Sequence, residues 1–153
     1  MALRIEAVPP AEFEALVPVL SEADEDDERI RAEITRPGRV AYRALLDGEV
    51  IGAATMRWDR EESEIVHIAV LPGWQGRGHG KAFVAALLAE ADERGVASVI
   101  VGTANSSLDN IAFYQRCGFR MDHVRRDYFD YFDHPVVERG IAMRDMLVLR
   151  RTG

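Results

Sequence analysis

The stretch Ile65-Val66-His67-Ile68-Ala69-Val70-Leu71-Pro72-Gly73-Trp74-Gln75-Gly76-Arg77-Gly78-His79-Gly80-Lys81 decides how this chain folds. An apolar run stops at a proline, and three glycines then alternate with polar residues. Beyond them, Phe83, Ala86, Leu87 and Ala91 recur at helical spacing. The pattern predicts strand, turn and helix. Glycine tolerates positive φ and lets a ligand approach the backbone. The amides of residues 76–81 would then wrap an anion at the positive end of a helix dipole. Arg77 and Lys81 would add charge-assisted contacts, so the turn points to a phosphorylated ligand.

Upstream, residues 40–46 and 50–58 flank Asp47-Gly48, a strong two-residue hairpin signal, and residues 63–70 form the strand that enters the glycines. Residues 3–8 read as a first strand and Pro9-Pro10 as a helix opening, with Phe13, Leu16, Val17 and Leu20 at helical spacing. Ser21 is the expected N-cap of a second helix running to Ile34. That start, Glu22-Ala23-Asp24-Glu25-Asp26-Asp27-Glu28, is either a solvated helix end or an acidic rim for a cationic substrate. Downstream, Gly95 sits where a helix C-cap belongs, residues 98–102 form an interior strand, and residues 107–117 form a helix closed by Gly118. Residues 119–126 should be a strand, 127–139 an aromatic-rich loop, and 141–149 the last strand. This is a mixed α/β order with several antiparallel hairpins.

The 153 residues fit one domain, spanning 1–153, with a core of ordinary size. A net charge of -7 argues against nucleic acid as a partner. No apolar run nears the ~18 residues of a membrane span, and no basic-then-apolar leader opens the chain, so no membrane is involved and a cytoplasmic location is expected. Lys81 is the only lysine. Cys117 is the only cysteine, which excludes an intramolecular disulfide and a cysteine metal cluster. Its apolar surroundings favour a buried inert thiol over a nucleophile.

Three phosphate-binding patterns compete for the turn. A P-loop would need glycine at Gln75 and a hydroxyl at Ala82, and a dinucleotide fingerprint would need glycine at Lys81. Gln75-Gly76-Arg77-Gly78-His79-Gly80 instead resembles the acetyl-CoA-binding signature of the GNAT N-acetyltransferase superfamily, Gln/Arg-x-x-Gly-x-Gly/Ala after a strand ending in Val-x-Pro. The segment Phe113-Tyr114-Gln115-Arg116-Cys117-Gly118-Phe119 resembles that family's Leu-Tyr-x-x-x-Gly-Phe signature. A helix and a strand lie between the two motifs, and the element order is similar over nearly the whole chain.

The resemblance implies a GNAT-like acyl-CoA N-acyltransferase fold, with a mixed, mostly antiparallel central sheet and helices on both faces. It also implies acetyl-CoA (coenzyme A) as donor. Residues 75–81, namely Gln75, Gly76, Arg77, Gly78, His79, Gly80 and Lys81, would hold the pyrophosphate, and backbone groups of Ile68, Ala69 and Val70 would pair with the pantetheine arm. The family's asparagine seven residues ahead of the tyrosine is here Ser107, and its alanine is Asn110. Asn105, nine residues ahead, is the remaining candidate for reaching the cofactor.

Direct acetyl transfer to an amine in a ternary complex needs a base for the ammonium, whose pKa is ~10, and a proton donor for the departing thiolate. Tyr114 occupies the donor position of the motif; otherwise it is a core aromatic. Glu64 is the expected base, acting through a water, and His67 its rival. Strict alternation would put Glu64, Val66 and Ile68 on one face and Ile65, His67 and Ala69 on the other. Arg125-Arg126-Asp127-Tyr128-Phe129-Asp130-Tyr131-Phe132-Asp133-His134-Pro135 is the expected acceptor wall, with Tyr128, Asp130 and Tyr131 binding a small-molecule amine. Alternatives are a protein N-terminus or lysine as acceptor, or an acyl-CoA-binding module without turnover. The resemblance leaves room for a homodimer.

Overall fold

The computed structural model describes residues 2–24, 26–132 and 134–152. In chain order these form β1 (Arg4–Val8), a 3-10 turn (Pro10–Leu16), α1 (Val17–Leu20), α2 (Asp27–Ile34), β2 (Arg39–Leu46), β3 (Glu49–Arg57) and β4 (Ser63–Val70). A second 3-10 turn (Pro72–Trp74), α3 (His79–Glu93), β5 (Ser98–Ala104), α4 (Leu108–Arg116), β6 (Arg120–Arg125), β7 (Val137–Glu138), β8 (Ile141–Ala142) and β9 (Met146–Thr152) follow. Seven strands make one sheet in the order β1-β2-β3-β4-β5-β9-β6, while β7 and β8 form a separate small hairpin. Every neighbouring pair in the large sheet is antiparallel except β4–β5. No helix among the described residues is long and apolar enough to cross a membrane.

The hairpin expected at Asp47-Gly48 is present, with φ of 54° and 80°, the double-positive geometry that matches strand twist. The start of the second helix differs from expectation. Ser21 closes α1, its hydroxyl donating to the Pro18 carbonyl at 2.6 Å. The N-cap of α2 is Asp26, whose carboxylate accepts from the amides of Glu28 and Arg29 at 3.0 and 3.3 Å. Ser21 has helical backbone, φ -62° and ψ -16°, as the C-cap of α1, whereas Asp26 has the extended backbone an N-cap needs. The expected last strand, 141–149, is also divided: residues 143–145 leave the sheet between β8 and β9.

Helices cover both faces. On one, Phe83, Val84, Leu87, Leu88 and Ala91 of α3 pack with Ala54, Met56, Ile65, Val99 and Val101. Phe83 is fully buried, and burial of such a side chain contributes roughly 1.5–3 kcal/mol. On the other face, Leu16, Val17, Leu20, Ile30 and Ile34 pack on Ala41 and Ala53.

Strict alternation along β4 fails at one point. Thr55 pairs with His67 and Met56 with Ile65, so Val66 has no opposite residue. This bulge resets the faces. Arg57–Glu64, Thr55–His67 and Ala53–Ala69 are opposed pairs on the α1–α2 face, and Met56–Ile65, Ala54–Ile68 and Gly52–Val70 are pairs on the α3 face. Glu64 and His67 therefore share a face, contrary to the alternation, while Ile65 joins Ile68 and Val70 against α3.

Candidate active site

β4 and β5 are joined over only three register pairs, Ser63–Val99, Glu64–Ile100 and Ile65–Val101. Beyond these the strands part, and the side of residues 66–70 that faces β5 has no partner strand. A cavity of about 880 Å³ opens there, lined by residues 64–70 on one wall and 101–104 on the other.

The glycine turn closes one end of this opening. The Gln75 side-chain amide donates to the Val70 carbonyl at 2.8 Å, fixing the turn to the strand end. Gly76 and Gly78 have φ of 75° and 85°, in the left-handed region that favours glycine. Gly78 is the N-cap of the fifteen-residue α3, and no side chain caps the helix. Its first-turn amides are thus left for an external acceptor. A Cβ on Gly80 would lie 3.4 Å from Phe113 Cζ, in ordinary van der Waals contact, so α4 packs directly on the start of α3. His79 meets Trp74 edge to face, and the Arg77 guanidinium lies 5.7 Å from the Trp74 ring centroid. An uncapped helix start beside an unpaired strand edge fits an extended ligand with a phosphate end and an amide-bearing arm.

Tyr114 lines the cavity from α4 and is 7% exposed. Burial pushes its hydroxyl above the ordinary tyrosine value, and Cys117 adds to the rise. Burial likewise raises the Cys117 thiol, while nearby Lys81 opposes the rise, in keeping with an inert cysteine.

Glu64 and His67 both line the cavity. The Glu64 carboxylate is 3.5 Å from Arg57 Nε and remains partly exposed. The His67 side chain is 9% exposed; its Nε2 is 3.6 Å from Asp24 Oδ2, and its buried Nδ1 has no partner among the described residues. Burial by itself would raise the Asp24 carboxyl, but the His67 contact, the Asp26 amide and Arg29 outweigh it and hold the group below the ordinary aspartate value. Arg29 also bridges: it pairs with Asp24 at 3.3 Å, and its guanidinium lies 4.0 Å from the Tyr131 ring centroid. The aromatic loop and α2 therefore meet over the cavity.

The structure separates some of the residues expected to act together. Tyr128 and Tyr131 line the main cavity, whereas Asp130 lines a smaller cleft of about 300 Å³ with His134, Pro135 and Arg144. Asp130, expected at the amine site, is exposed on that smaller cleft, while Phe129 and Phe132 on either side of it are half-buried and stack on each other. Asp133 and Glu25 lie outside the described residues. The Asn105 side chain, expected to reach the cofactor, is engaged within the protein: its amide donates to the Ala142 carbonyl at 3.0 Å, and its oxygen accepts from the Arg144 and Asp145 amides at 2.9 and 3.0 Å. Those bonds hold the break between β8 and β9. Sequence reasoning missed Arg29, Arg125 and Glu138, which also line the cavity. Only Arg125 lay in a segment already singled out.

The model of the Acetyltransferase (GNAT) family matches residues 6–119. An uncharacterized N-acetyltransferase of Bacillus subtilis, YvbK, is 36% identical over 110 residues, 71% of each chain. A Bacillus subtilis acetyltransferase solved in complex with CoA is 31% identical with a TM-score of 0.88, covering 99% of both chains. A GNAT family acetyltransferase from Elizabethkingia anophelis, solved with acetyl-CoA bound, is 28% identical with a TM-score of 0.86, covering 99% of this chain and 98% of that one. The fold, the uncapped glycine turn at the parted strands and these likenesses agree: the chain belongs to the GNAT family and is an acetyltransferase.

Proposed function

We propose that this enzyme moves the acetyl group of acetyl-CoA to the primary amine of a small molecule, directly and in a ternary complex. The observation that carries the size of the acceptor is the contact of Arg29 with Tyr131. It roofs the acceptor side of the cavity, leaving a pocket suited to a small molecule rather than an open groove for a polypeptide. The relatives solved with CoA or acetyl-CoA support the choice of donor.

The residues take the following roles. First-turn amides of α3, with Arg77 and Lys81, hold the pyrophosphate. The unpaired edge of Ile68, Ala69 and Val70 pairs with the pantetheine arm. When bound, the donor supplies an acyl carbon with a thiolate leaving group. Glu64 accepts the ammonium proton through a water, and Arg57 keeps its carboxylate oriented. Tyr114 keeps its proton at neutral pH because burial disfavours the phenolate, and delivers it to the departing sulfur. Tyr128 and Tyr131 wall the acceptor.

Thiol release from acetyl-CoA across a panel of free amines and peptides tests this reading. Turnover with at least one free amine, well above hydrolysis, is expected. Release no faster than hydrolysis with every amine would overturn it, as would acetylation of peptide N-termini in strong preference to every free amine.

A further inference from the structure

Most charged side chains lining the cavity have an ion-pair partner. Arg29 pairs with Asp24, Arg36 and Arg39 both pair with Glu33 at 3.1 Å, and Glu64 pairs with Arg57. Two groups remain. Arg125, half-buried at the end of β6, has no ion pair or hydrogen bond among the described residues. Glu138 on β7 is also half-buried. Its Oε1 accepts from the Ser106 and Ser107 hydroxyls at 2.8 and 3.0 Å, and Oε2 has no hydrogen bond among the described residues.

Both groups are brought to the same place, the end of β5. Arg125 is in register with Met146, and Met146 with Ala104, so one row crosses three strands to the last residue of β5. Ser106 and Ser107, which fix Glu138, follow directly and open α4, the helix that carries Tyr114. The row containing Arg125 lies on the same sheet face as Glu64, because Ala104 alternates with Gly102 and Ile100, and Ile100 is paired with Glu64. That face is opposite α3, whose first turn receives the donor phosphates. The cation at Arg125 is therefore free for the acceptor. Immediately after it in the chain come the rings of Tyr128, Phe129 and Tyr131, which line the same cavity.

The geometry points to an acceptor that is itself a zwitterion: a free amino acid with an apolar or aromatic side chain. Its carboxylate meets Arg125, its ammonium is drawn by Glu138, and its side chain lies against the aromatic loop. A guanidinium reads a carboxylate in two parallel hydrogen bonds, and a half-buried cation left without its anion disfavours a substrate that lacks one. This assignment rests on the amine-acetylation reading and narrows it.

The test uses the full-length enzyme with acetyl-CoA and three amino acids, L-phenylalanine, L-methionine and L-leucine. Each is set against its own amide and its decarboxylated amine. The expected result is a kcat/KM for at least one amino acid about 30-fold above both of its analogues. Arg125→Gln should collapse that preference to a few-fold, and Arg125→Lys should restore part of it. Calorimetric titration of the same amino acids into the CoA-saturated protein reads the site without turnover, with binding weakened about tenfold or more by Arg125→Gln. Equal use of amino acid and decarboxylated amine would overturn the inference and leave amine acetylation standing. So would a preference that survives Arg125→Gln, or an Arg125→Gln variant that loses affinity for CoA itself. Arg125-dependent binding without acetylation of any amine would keep the zwitterion site and overturn the reading it rests on. Neither binding nor turnover would overturn both.

Discussion

Replacing Asn105 by alanine separates a structural role from a cofactor contact. Three hydrogen bonds end on this one side chain: one to the Ala142 carbonyl and two from the Arg144 and Asp145 amides. Each contributes a net ~0.5–1.5 kcal/mol. Two of the three are solvent-exposed, where water replaces the lost partner, so the sum lies toward the low end, at about 2 kcal/mol. The backbone bond from the Asn105 amide to the Asp145 carbonyl, 2.9 Å, survives the substitution and limits the damage. For a domain of this size the expected fall in Tm is about 4–8 °C. Scanning calorimetry measures that fall, and equilibrium titration with CoA measures the other half of the expectation, an unchanged Kd. The KM for the acceptor should rise, because Met143 and Met146, either side of the loosened bend, line the cavity. An Asn105→Ala variant with unaltered Tm and CoA affinity weakened tenfold would refute the reasoning and return Asn105 to the cofactor.

Two further outcomes are expected. Tyr114→Phe removes a hydroxyl that no described residue hydrogen-bonds, so Tm should hold within a degree or two while kcat falls about 10²–10³-fold; a kcat within threefold of the parent would remove Tyr114 from proton delivery. Asp24 has its carboxyl held below the ordinary aspartate value in the folded protein, so its contribution is fully present above about pH 4 and is lost as pH falls through the lowered value. Denaturant midpoints between pH 5 and pH 3 should drop less steeply in Asp24→Asn than in the parent, and parallel curves would show that the His67 and Arg29 contacts do not carry the effect.

What could be read from the chain was local geometry with a strong residue preference. Asp47-Gly48, Gly76, Gly78 and Gly118 stand where the backbone needs positive φ, and few residues adopt it. The glycine turn also carried its own chemistry, since bare amides at a helix start need no distant partner. What could not be read were choices settled across the fold. Ser21 and Asp26 are both good caps, and what separates them is where the chain turns: Ser21 is still helical at the end of α1, whereas Asp26 is extended ahead of α2. The bulge at Val66 is a matter of register with β3, which period-2 reasoning along β4 alone cannot see. The link of Asp24 to His67 joins residues 43 apart in the chain, and Arg29 reaches Tyr131 across a longer gap still.

The parting of β4 from β5 has a mechanical side. Three residue pairs are all that ties the strands β1-β2-β3-β4 to β5-β9-β6 within the sheet. The large sheet is thus two stiff plates joined at a short seam, with α3 spanning them on one face. A ligand whose amides bond along residues 68–70 lengthens that seam. Donor binding along that edge, as proposed, would work as a stitch, and amide exchange should then slow along β4 and β5 on both sides of the seam, well beyond the residues the donor touches.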